Sequence, residues 1–151
     1  MKVVVLFFFL KTFKNSKITC VDTWSGSDEH LKQNFDVIEA NFDVNTKSYQ
    51  NDNRLKKIKN TSNDFFSNNF QSFDLIFVDG DHSSGQVKKD INNSWKILNN
   101  GGYLILDDYL WWYYKDLKNN PAFIINNFIS ENLSNISFLK IWQQVIIKKV
   151  N

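Results

Sequence analysis

The chain has 151 residues, 42% of them hydrophobic and 23% charged, which suits a soluble globular protein of one-domain length. The net charge is only +2 and the lysines are spread along the chain, which argues against nucleic acid as the main partner. A single cysteine, Cys20, excludes an internal disulfide framework and a cysteine-built zinc site, and two histidines exclude a histidine-rich metal site. Asparagine occurs 21 times beside a single arginine, as codon drift in an AT-rich genome produces, so we give most asparagines no functional weight.

The N-terminus begins with one basic residue and eight apolar ones, like a short signal peptide. No small-residue cleavage site follows, and the run is too short to span a bilayer. We therefore interpret residues 1–11 as part of the fold, and the protein as cytoplasmic and without a membrane partner.

The first half of the chain alternates strand and helix signals. Ile18–Asp22 is predicted to be a strand that ends in an acid, and Leu55–Lys59 a short, exposed strand. The helix between them is predicted to have Ser27 as its cap and one apolar face, formed by Leu31, Phe35, Ile38 and Phe42. After the second strand, Ser62 is predicted to cap a helix that carries Phe65, Phe66 and Phe70.

Two apolar runs in the second half stop abruptly at acids. Phe73–Asp79 leads into Gly80-Asp81-His82, and Gly102–Asp107 leads into Asp108. Continuous apolar runs suit strands buried on both faces of a parallel sheet, whose carboxyl ends form the usual ligand edge. Carboxylates converging there repel one another unless a cation or a shared proton intervenes, and Mg²⁺ prefers oxygen ligands. Each acid taken singly also fits a turn or a helix cap.

The remaining signals complete an α/β pattern. A helix is predicted from about Gly85 to Leu98, and Asn99–Gly102 is predicted to end it with a left-handed cap. An aromatic loop spans Tyr109 to Tyr114, and a helix follows from about Pro121 to Asn132. Two closely joined strands end the chain as an antiparallel hairpin. We therefore predict one α/β domain over residues 1–151, with a Rossmann-like, doubly wound sheet and an antiparallel C-terminal hairpin.

The order of these segments resembles the class I S-adenosylmethionine-dependent methyltransferases. The resemblance is closest to the small-molecule O-methyltransferases, which include the macrocin-type sugar enzymes and, more distantly, the catechol type. It runs from about Phe7 to the end, and three segments carry it, at residues 18–26, 73–82 and 101–111.

The resemblance implies a role for each residue at these strand ends. Asp22 would bind the ribose hydroxyls of S-adenosylmethionine, since a carboxylate accepts two hydrogen bonds from a vicinal diol. Thr23 and Trp24 would lie along the nucleoside, with packing as the other interpretation of Trp24. The adenine contacts would come from Thr61 and Ser62, the metal ligands would be Asp79, Asp107 and Asp108, and the general base would be Asp81 or His82. For His82 the other interpretation is a capping residue before the Gly85 helix.

The chain departs from the family pattern at its beginning. Family members start with a strand and an acidic, glycine-rich turn that approaches the methionine part of the cofactor, whereas no glycine precedes Gly26 here. Phe7–Phe13 resembles the end of the first helix. The alternative, a strand over Val3–Phe9, leaves only Leu10–Lys17 as a connection, and a parallel crossover needs about ten to twelve residues or more. We expect the first strand and its turn to be missing, with weak cofactor binding as the result.

The expected function is a metal-assisted O-methylation of a small hydroxylated acceptor, a sugar or an aromatic compound. The aromatic loop over Trp111–Tyr114 would form a wall or lid over this acceptor, or meet another subunit of a homo-oligomer. Three other interpretations stay open at this stage. They are a metal-dependent glycosyltransferase-like domain that binds a nucleotide sugar, a haloacid-dehalogenase-type phosphatase, and a non-catalytic remnant that acts as a binding module.

Overall fold

The protein is represented by a computed structural model, and residues 3–26 and 33–150 are those whose structure is described. It divides into two compact units, residues 1–67 and residues 68–151, which we call the N-terminal unit and the C-terminal unit. Each unit has its own hydrophobic core. The prediction of a single domain stays a prediction.

The first described element of the N-terminal unit is a helix, as the resemblance implied, and not the strand considered over Val3–Phe9. Its elements are α1 (Val3–Thr12), β1 (Ile18–Asp22), α2 (Phe35–Asn51), β2 (Leu55–Lys59) and the short helix α3 (Ser62–Asn68), which extends one residue into the C-terminal unit. β1 and β2 pair in parallel, with Ile18 opposite Leu55 and Asp22 opposite Lys59. Six buried side chains form the core between the helices and these strands: Leu6, Leu10, Cys20, Trp24, Phe42 and Leu55.

The single arginine closes the C-terminal end of α1. One guanidinium nitrogen of Arg54 donates to the carbonyl oxygens of Leu10, at 2.8 Å, and Phe13, at 2.9 Å. The guanidinium carbon lies 5.6 Å from the centre of the Tyr49 ring. A cation at this end satisfies carbonyls that the helix leaves unpaired and complements the helix dipole.

The C-terminal unit is a four-stranded sheet with two helices. Its elements are β3 (Phe73–Val78), α4 (Ser84–Ile97), β4 (Leu98–Leu106), α5 (Pro121–Glu131), β5 (Ile136–Ile141) and β6 (Val145–Lys149), and two short 3₁₀ helices precede and follow α5. The strand order is β3-β4-β6-β5. β3 and β4 are parallel, and β6 is antiparallel to both of its neighbours. The predicted parallel pairs and the antiparallel hairpin are therefore confirmed.

The core of the C-terminal unit lies between the helices and one face of the sheet. Its most completely buried members include Ile91 of α4, Leu104 and Leu106 of β4, and Ile125 of α5. Lys149 closes the end of α4, where its ammonium group donates to the carbonyl oxygens of Trp95 and Leu98, each at 2.9 Å.

The described strands form two separate sheets, so the single continuous sheet is not observed. No described strand pairs with the second edge of β1 or of β3.

Several predicted ends and caps differ from the structure. α2 begins at Phe35 with Asn34 as its cap, whose side-chain oxygen accepts the Val37 N–H at 3.2 Å. The predicted Ser27 cap and Leu31 lie outside the described residues. Phe70 lies beyond the end of α3 and is 98% exposed, because α3 stops at Asn68.

The connection between α4 and β4 also differs. α4 ends at Ile97 with an extended residue, Leu98, and β4 begins there, four residues earlier than predicted. Gly101 has the expected left-handed backbone, with φ +76°, but it lies within the strand where the register with β3 shifts. Leu55, predicted to be in an exposed strand, is buried with 4% exposure because it joins the core of the N-terminal unit.

β5 occupies one end of the strand order, and five of its six residues are exposed. Three of these are large and apolar, namely Phe138, Leu139 and Ile141, and the exposed Trp142 follows directly. Among residues 3–26 and 33–150, no helix has the length and apolar character needed to cross a membrane.

Candidate active site

The acids after β3 and β4 lie at the same edge of the sheet. The two strands are parallel, with Val78 opposite Leu106, so their carboxyl ends coincide. The ladder continues one step further, because the Asp107 N–H donates to the Val78 carbonyl oxygen at 2.9 Å. The sequence prediction of acids from two adjacent strand ends at one edge is therefore confirmed for this unit.

Three side chains form a compact group at this edge. Asp79, His82 and Asp108 each offer one ligand atom, and these atoms lie within 4.8 Å of one another. The closest pair is His82 Nε2 and Asp108 Oδ2, at 3.0 Å. All three residues are half-buried. Two carboxylate oxygens and an imidazole nitrogen suit either a divalent cation or a proton relay.

The backbone of Asp108 explains how its side chain reaches His82. Asp108 has a left-handed conformation, with φ +55°, which non-glycine residues adopt uncommonly. The turn is closed by the Trp111 N–H, which donates to the Asp108 carbonyl oxygen at 2.9 Å. Asp108 therefore leaves the strand direction that ends at Leu106.

Two of the predicted site acids are held by other groups. Asp107 lies outside the three-residue group, and its Oδ1 accepts a hydrogen bond from Gln144 Nε2 at 3.0 Å. Asp81 is exposed, and its Oδ1 accepts the Ser83 N–H at 2.8 Å, just before α4 begins. The cap of α4 is Ser83, and not His82 as we had considered, and Asp81 stands two residues before this cap.

A small pocket adjoins the group. Its polar side contains Asp79, His82 and Asp108, and its apolar side comes from helix residues such as Ile91 of α4 and Ile125 of α5. An apolar wall beside a few converging polar groups is typical of small-molecule sites.

The aromatic loop reaches this site through Trp111. The indole of Trp111 lies 4.7 Å from the imidazole of His82, centre to centre, with an interplanar angle of 47°. Trp111 also stacks on the Tyr113 ring and makes an edge-to-face contact with the Tyr114 ring, with ring centres 5.5 and 5.7 Å apart. Trp112 and Tyr113 are largely exposed.

The side chain of Asn120 forms hydrogen bonds with the backbone of this loop, although from the sequence we gave most asparagines no functional weight. It is only 4% exposed. Its Oδ1 accepts the N–H groups of Tyr113 and Tyr114, at 3.2 and 3.1 Å. Its Nδ2 donates to the carbonyl oxygens of Tyr114, at 2.9 Å, and Asp116, at 3.4 Å. The signal that could have pointed to it is local, since it stands directly before Pro121, where a helix begins.

The residues predicted to bind the cofactor nucleoside lie in the N-terminal unit. Asp22 is half-buried at the end of β1, and its Oδ1 accepts the Trp24 N–H at 2.8 Å. Thr23 Oγ1 accepts the Ser25 N–H at 3.2 Å. These two turns fix the chain that follows β1.

Trp24 is a core residue of the N-terminal unit. It is 7% exposed, has a left-handed φ of +50°, and contacts the Phe42 ring at 5.2 Å. The ammonium group of Lys57 lies 4.6 Å from the centre of the indole ring. Burial lowers the pKa of Lys57, but hydrogen bonds to Asp43 and Glu39 outweigh it, so the net shift is upward. Packing, the second interpretation of Trp24, thus describes its observed surroundings.

Thr61 and Ser62 stand at the start of α3, where Thr61 is the capping residue. Thr61 Oγ1 accepts the Asp64 N–H at 3.1 Å and donates to Asp64 Oδ2 at 2.8 Å. The prediction that Ser62 caps this helix is wrong, because Ser62 is already its first residue. A reciprocal bond between the cap and the third residue of the helix is the reason that Thr61 takes the position.

One family model matches most of the chain. A family model described as a methyltransferase domain matches residues 2–109. An uncharacterised protein of Acanthamoeba polyphaga mimivirus is 33% identical over 88 residues, which cover 56% of this chain and 36% of the relative. The match therefore spans about a third of that relative's length.

Solved structures of similar fold include several O-methyltransferases. MycE methyltransferase of mycinamycin biosynthesis, solved with Mg, SAH and mycinamycin VI, has a TM-score of 0.67 at 14% identity, over 97% of this chain and 40% of that chain. The O-methyltransferase NovP has a TM-score of 0.58 at 11% identity, and the match covers 98% of this chain and 66% of NovP. An O-methyltransferase of Bacillus cereus, in complex with SAH, has a TM-score of 0.57 at 13% identity. The match covers 89% of this chain and 63% of that chain. At these identities the likeness concerns the fold.

Proposed function

The chain belongs to the methyltransferase-domain family, and from this premise we propose that it serves the transfer of a methyl group from S-adenosylmethionine to a hydroxyl oxygen of a small acceptor. The observation that carries the proposal is the group of Asp79, His82 and Asp108 beside the pocket at the β3–β4 edge. The family membership favours methyl transfer over the glycosyltransferase and phosphatase interpretations of the same acids.

His82 is the proposed proton acceptor. With Nε2 3.0 Å from Asp108 Oδ2, the neutral imidazole carries its proton on Nε2 and donates it to the carboxylate. Nδ1 then holds the lone pair that takes the proton from the acceptor hydroxyl. The imidazolium that forms is paired with Asp108, which stabilises its charge. Asp81 fits this role less well, because its carboxylate is exposed and accepts the Ser83 N–H.

Asp79 and Asp108 are the proposed carboxylate ligands of a divalent cation. The fit rests on their ligand atoms, which lie with that of His82 within 4.8 Å of one another. When bound, such a cation lowers the pKa of a coordinated acceptor hydroxyl. Asp107, the third ligand implied by the resemblance, is restrained by Gln144 and serves in this proposal to fix the end of β4.

The cofactor residues are proposed as the resemblance implied them. Asp22 accepts hydrogen bonds from the ribose hydroxyls, since a carboxylate can accept two hydrogen bonds from a vicinal diol. Thr23, Trp24, Thr61 and Ser62 line the nucleoside. When bound, S-adenosylmethionine supplies the methyl group: the oxygen–carbon bond forms as the carbon–sulfur bond breaks, and S-adenosylhomocysteine is released.

The acceptor is proposed to be a sugar or an aromatic compound with a free hydroxyl. The exposed rings of Trp112 and Tyr113 beside the site offer flat apolar surfaces for such a molecule. Alignment of oxygen, methyl carbon and sulfur contributes most of the rate in such a transfer.

The first experiment measures cofactor binding. The chain is titrated with methyl-tritiated S-adenosylmethionine, and UDP-glucose serves as the competing nucleotide sugar. Asp22→Asn should weaken binding about 10- to 100-fold, the value of one or two hydrogen bonds to a charged group. Asp36→Asn, an exposed acid in the first turn of α2, is the matched control and should bind like the wild type. Binding of UDP-glucose in place of S-adenosylmethionine would overturn the proposal.

The second experiment measures the metal. Calorimetric titration with Mg²⁺ and Mn²⁺ should give weak binding that Asp79→Asn and Asp108→Asn abolish and Asp107→Asn retains. Binding that only Asp107→Asn abolishes would contradict our choice of ligands. Binding of the cofactor without methyl transfer would instead favour the non-catalytic binding module.

A further inference from the structure

We propose that Asn120 is a positioning residue that, by holding the aromatic loop, keeps the Trp111 indole against His82 and so fixes the imidazole at the site. The catalytic part of this inference rests on the proposed function, because it takes His82 as the proton acceptor. Its structural part stands on contacts within the C-terminal unit alone.

The side chain of Asn120 is fully engaged by the loop. An amide group has two N–H donors and an oxygen with two lone pairs. All four positions are used, since the oxygen accepts the N–H groups of Tyr113 and Tyr114 and the nitrogen donates to the carbonyl oxygens of Tyr114 and Asp116. Asn120 precedes α5, yet no hydrogen bond from its side chain caps this helix. The side chain therefore organises the loop and not the helix that follows it.

The loop transmits this restraint through ring contacts. Tyr113 and Tyr114, whose backbone groups are bonded to Asn120, both touch the Trp111 indole. Trp111 in turn lies 4.7 Å from the His82 ring. His82 is thus held on two sides, by the Asp108 carboxylate at Nε2 and by the indole. An imidazole with these two restraints has little freedom to rotate about χ1 and χ2.

Asn120 is anchored independently of the loop. It is 4% exposed, and its carbonyl oxygen accepts the Phe123 N–H at 3.2 Å. Pro121, which follows, is fully buried. A buried anchor on a helix start is a rigid point from which an otherwise exposed loop can be positioned. Misplacement of a catalytic group by about 1 Å can cost up to about 100-fold in rate, so such an anchor matters for transfer.

The test uses the ring current of Trp111 as the reporter. The chain has two histidines, so the carbon-bound ring protons of His82 are identified by NMR as the signals that disappear in His82→Gln. Trp111→Leu removes the indole and gives the reference position of these signals. Asn120→Ala should move the His82 signals most of the way from their wild-type position to this reference. Asn119→Ala, the exposed neighbour, is the control and should leave them unchanged.

Asn120→Asp provides a second variant in case the alanine variant does not fold. It retains the two acceptor contacts but sets a carboxylate oxygen against the carbonyl oxygens of Tyr114 and Asp116, so it should shift the His82 signals in the same direction as the alanine variant. Folded Asn120 variants in which His82 keeps its wild-type signals would overturn the inference.

The catalytic part is read from rates. In a form of the protein that transfers methyl groups, Asn120→Ala and Trp111→Leu should each lower kcat about tenfold, with the KM for S-adenosylmethionine unchanged. A signal shift without a fall in kcat would overturn the positioning role. Absence of transfer in every form would instead count against the proposed function, and the NMR comparison would then decide the structural part of the inference alone.

Discussion

Replacement of Gly102 by alanine should destabilise the C-terminal unit, because the methyl group has no space. A Cβ at this position would lie 2.8 Å from the Asn99 carbonyl oxygen, 2.9 Å from the Asp74 carbonyl oxygen and 3.0 Å from a methyl group of Leu98. Two of these three neighbours are backbone atoms, which cannot move aside as a flexible side chain can. The added group must therefore displace β4 or the beginning of β3.

The expected cost is about 1 to 3 kcal/mol, the usual range for overpacking a buried site. For a chain of this length, each kcal/mol lowers the melting temperature by roughly 2 to 4 °C. The matched control is Gly85→Ala in the first turn of α4, where a Cβ meets nothing within 4 Å. Because glycine is a poor helix former, the free energy of unfolding of Gly85→Ala should rise by about 0.5 to 1 kcal/mol.

Urea denaturation followed by circular dichroism, with tryptophan fluorescence as a second probe, measures both variants against the wild type. The two alanine substitutions should change the free energy of unfolding in opposite directions. A Gly102→Ala chain as stable as the wild type would show that β4 does not approach β3 as closely as described. Because Asp107 follows β4 directly and is paired with Val78, displaced strands should also weaken any metal binding at the site.

Three further predictions concern stability and the buried thiol. Lys149→Met should lower the free energy of unfolding, measured by urea denaturation, by about 2 kcal/mol, because two hydrogen bonds from a cation to the end of α4 are lost. Lys148→Met is the control and should lower it by less. Burial raises the pKa of Cys20 from 9.0 to about 11, so the native thiol should react with a disulfide reagent at pH 8 far more slowly than the urea-unfolded chain. Because the folded state keeps the Cys20 proton up to a higher pH than the unfolded state does, the free energy of unfolding should fall between about pH 9 and pH 11. The fall should be larger in the wild type than in Cys20→Ala. Equal pH dependence in the two proteins would contradict the raised pKa of Cys20.

The strands were predictable because local patterns determine them. The bounds of β1 and β2 agree with the prediction at both ends, and β3 ends one residue early, since apolar runs bounded by polar residues leave few alternatives. The same holds for α5, which begins at Pro121 as expected. The cap of α3 was misassigned by one residue, from Thr61 to Ser62, because both residue types are good caps.

The side-chain partners at the site were less predictable, because distant residues decide them. Gln144 binds Asp107 across 37 positions of sequence, and no local pattern indicates such a pair. One signal was available for the two acids, however. Adjacent residues of an extended strand point to opposite faces, so Asp107 and Asp108 were unlikely partners unless the backbone turned. The left-handed turn at Asp108 brings this residue to His82 and leaves Asp107 with Gln144.

The exposed edge of β5 has a consequence for handling the protein. An apolar strand with an unpaired edge is a template for pairing with other chains, and natural proteins protect such edges with charges. Lys140 is the one charged residue within β5, between Leu139 and Ile141. It therefore has the position of a gatekeeper against aggregation. We expect the solubility of the purified chain to depend on Lys140, although this residue is not one of the candidate active-site residues.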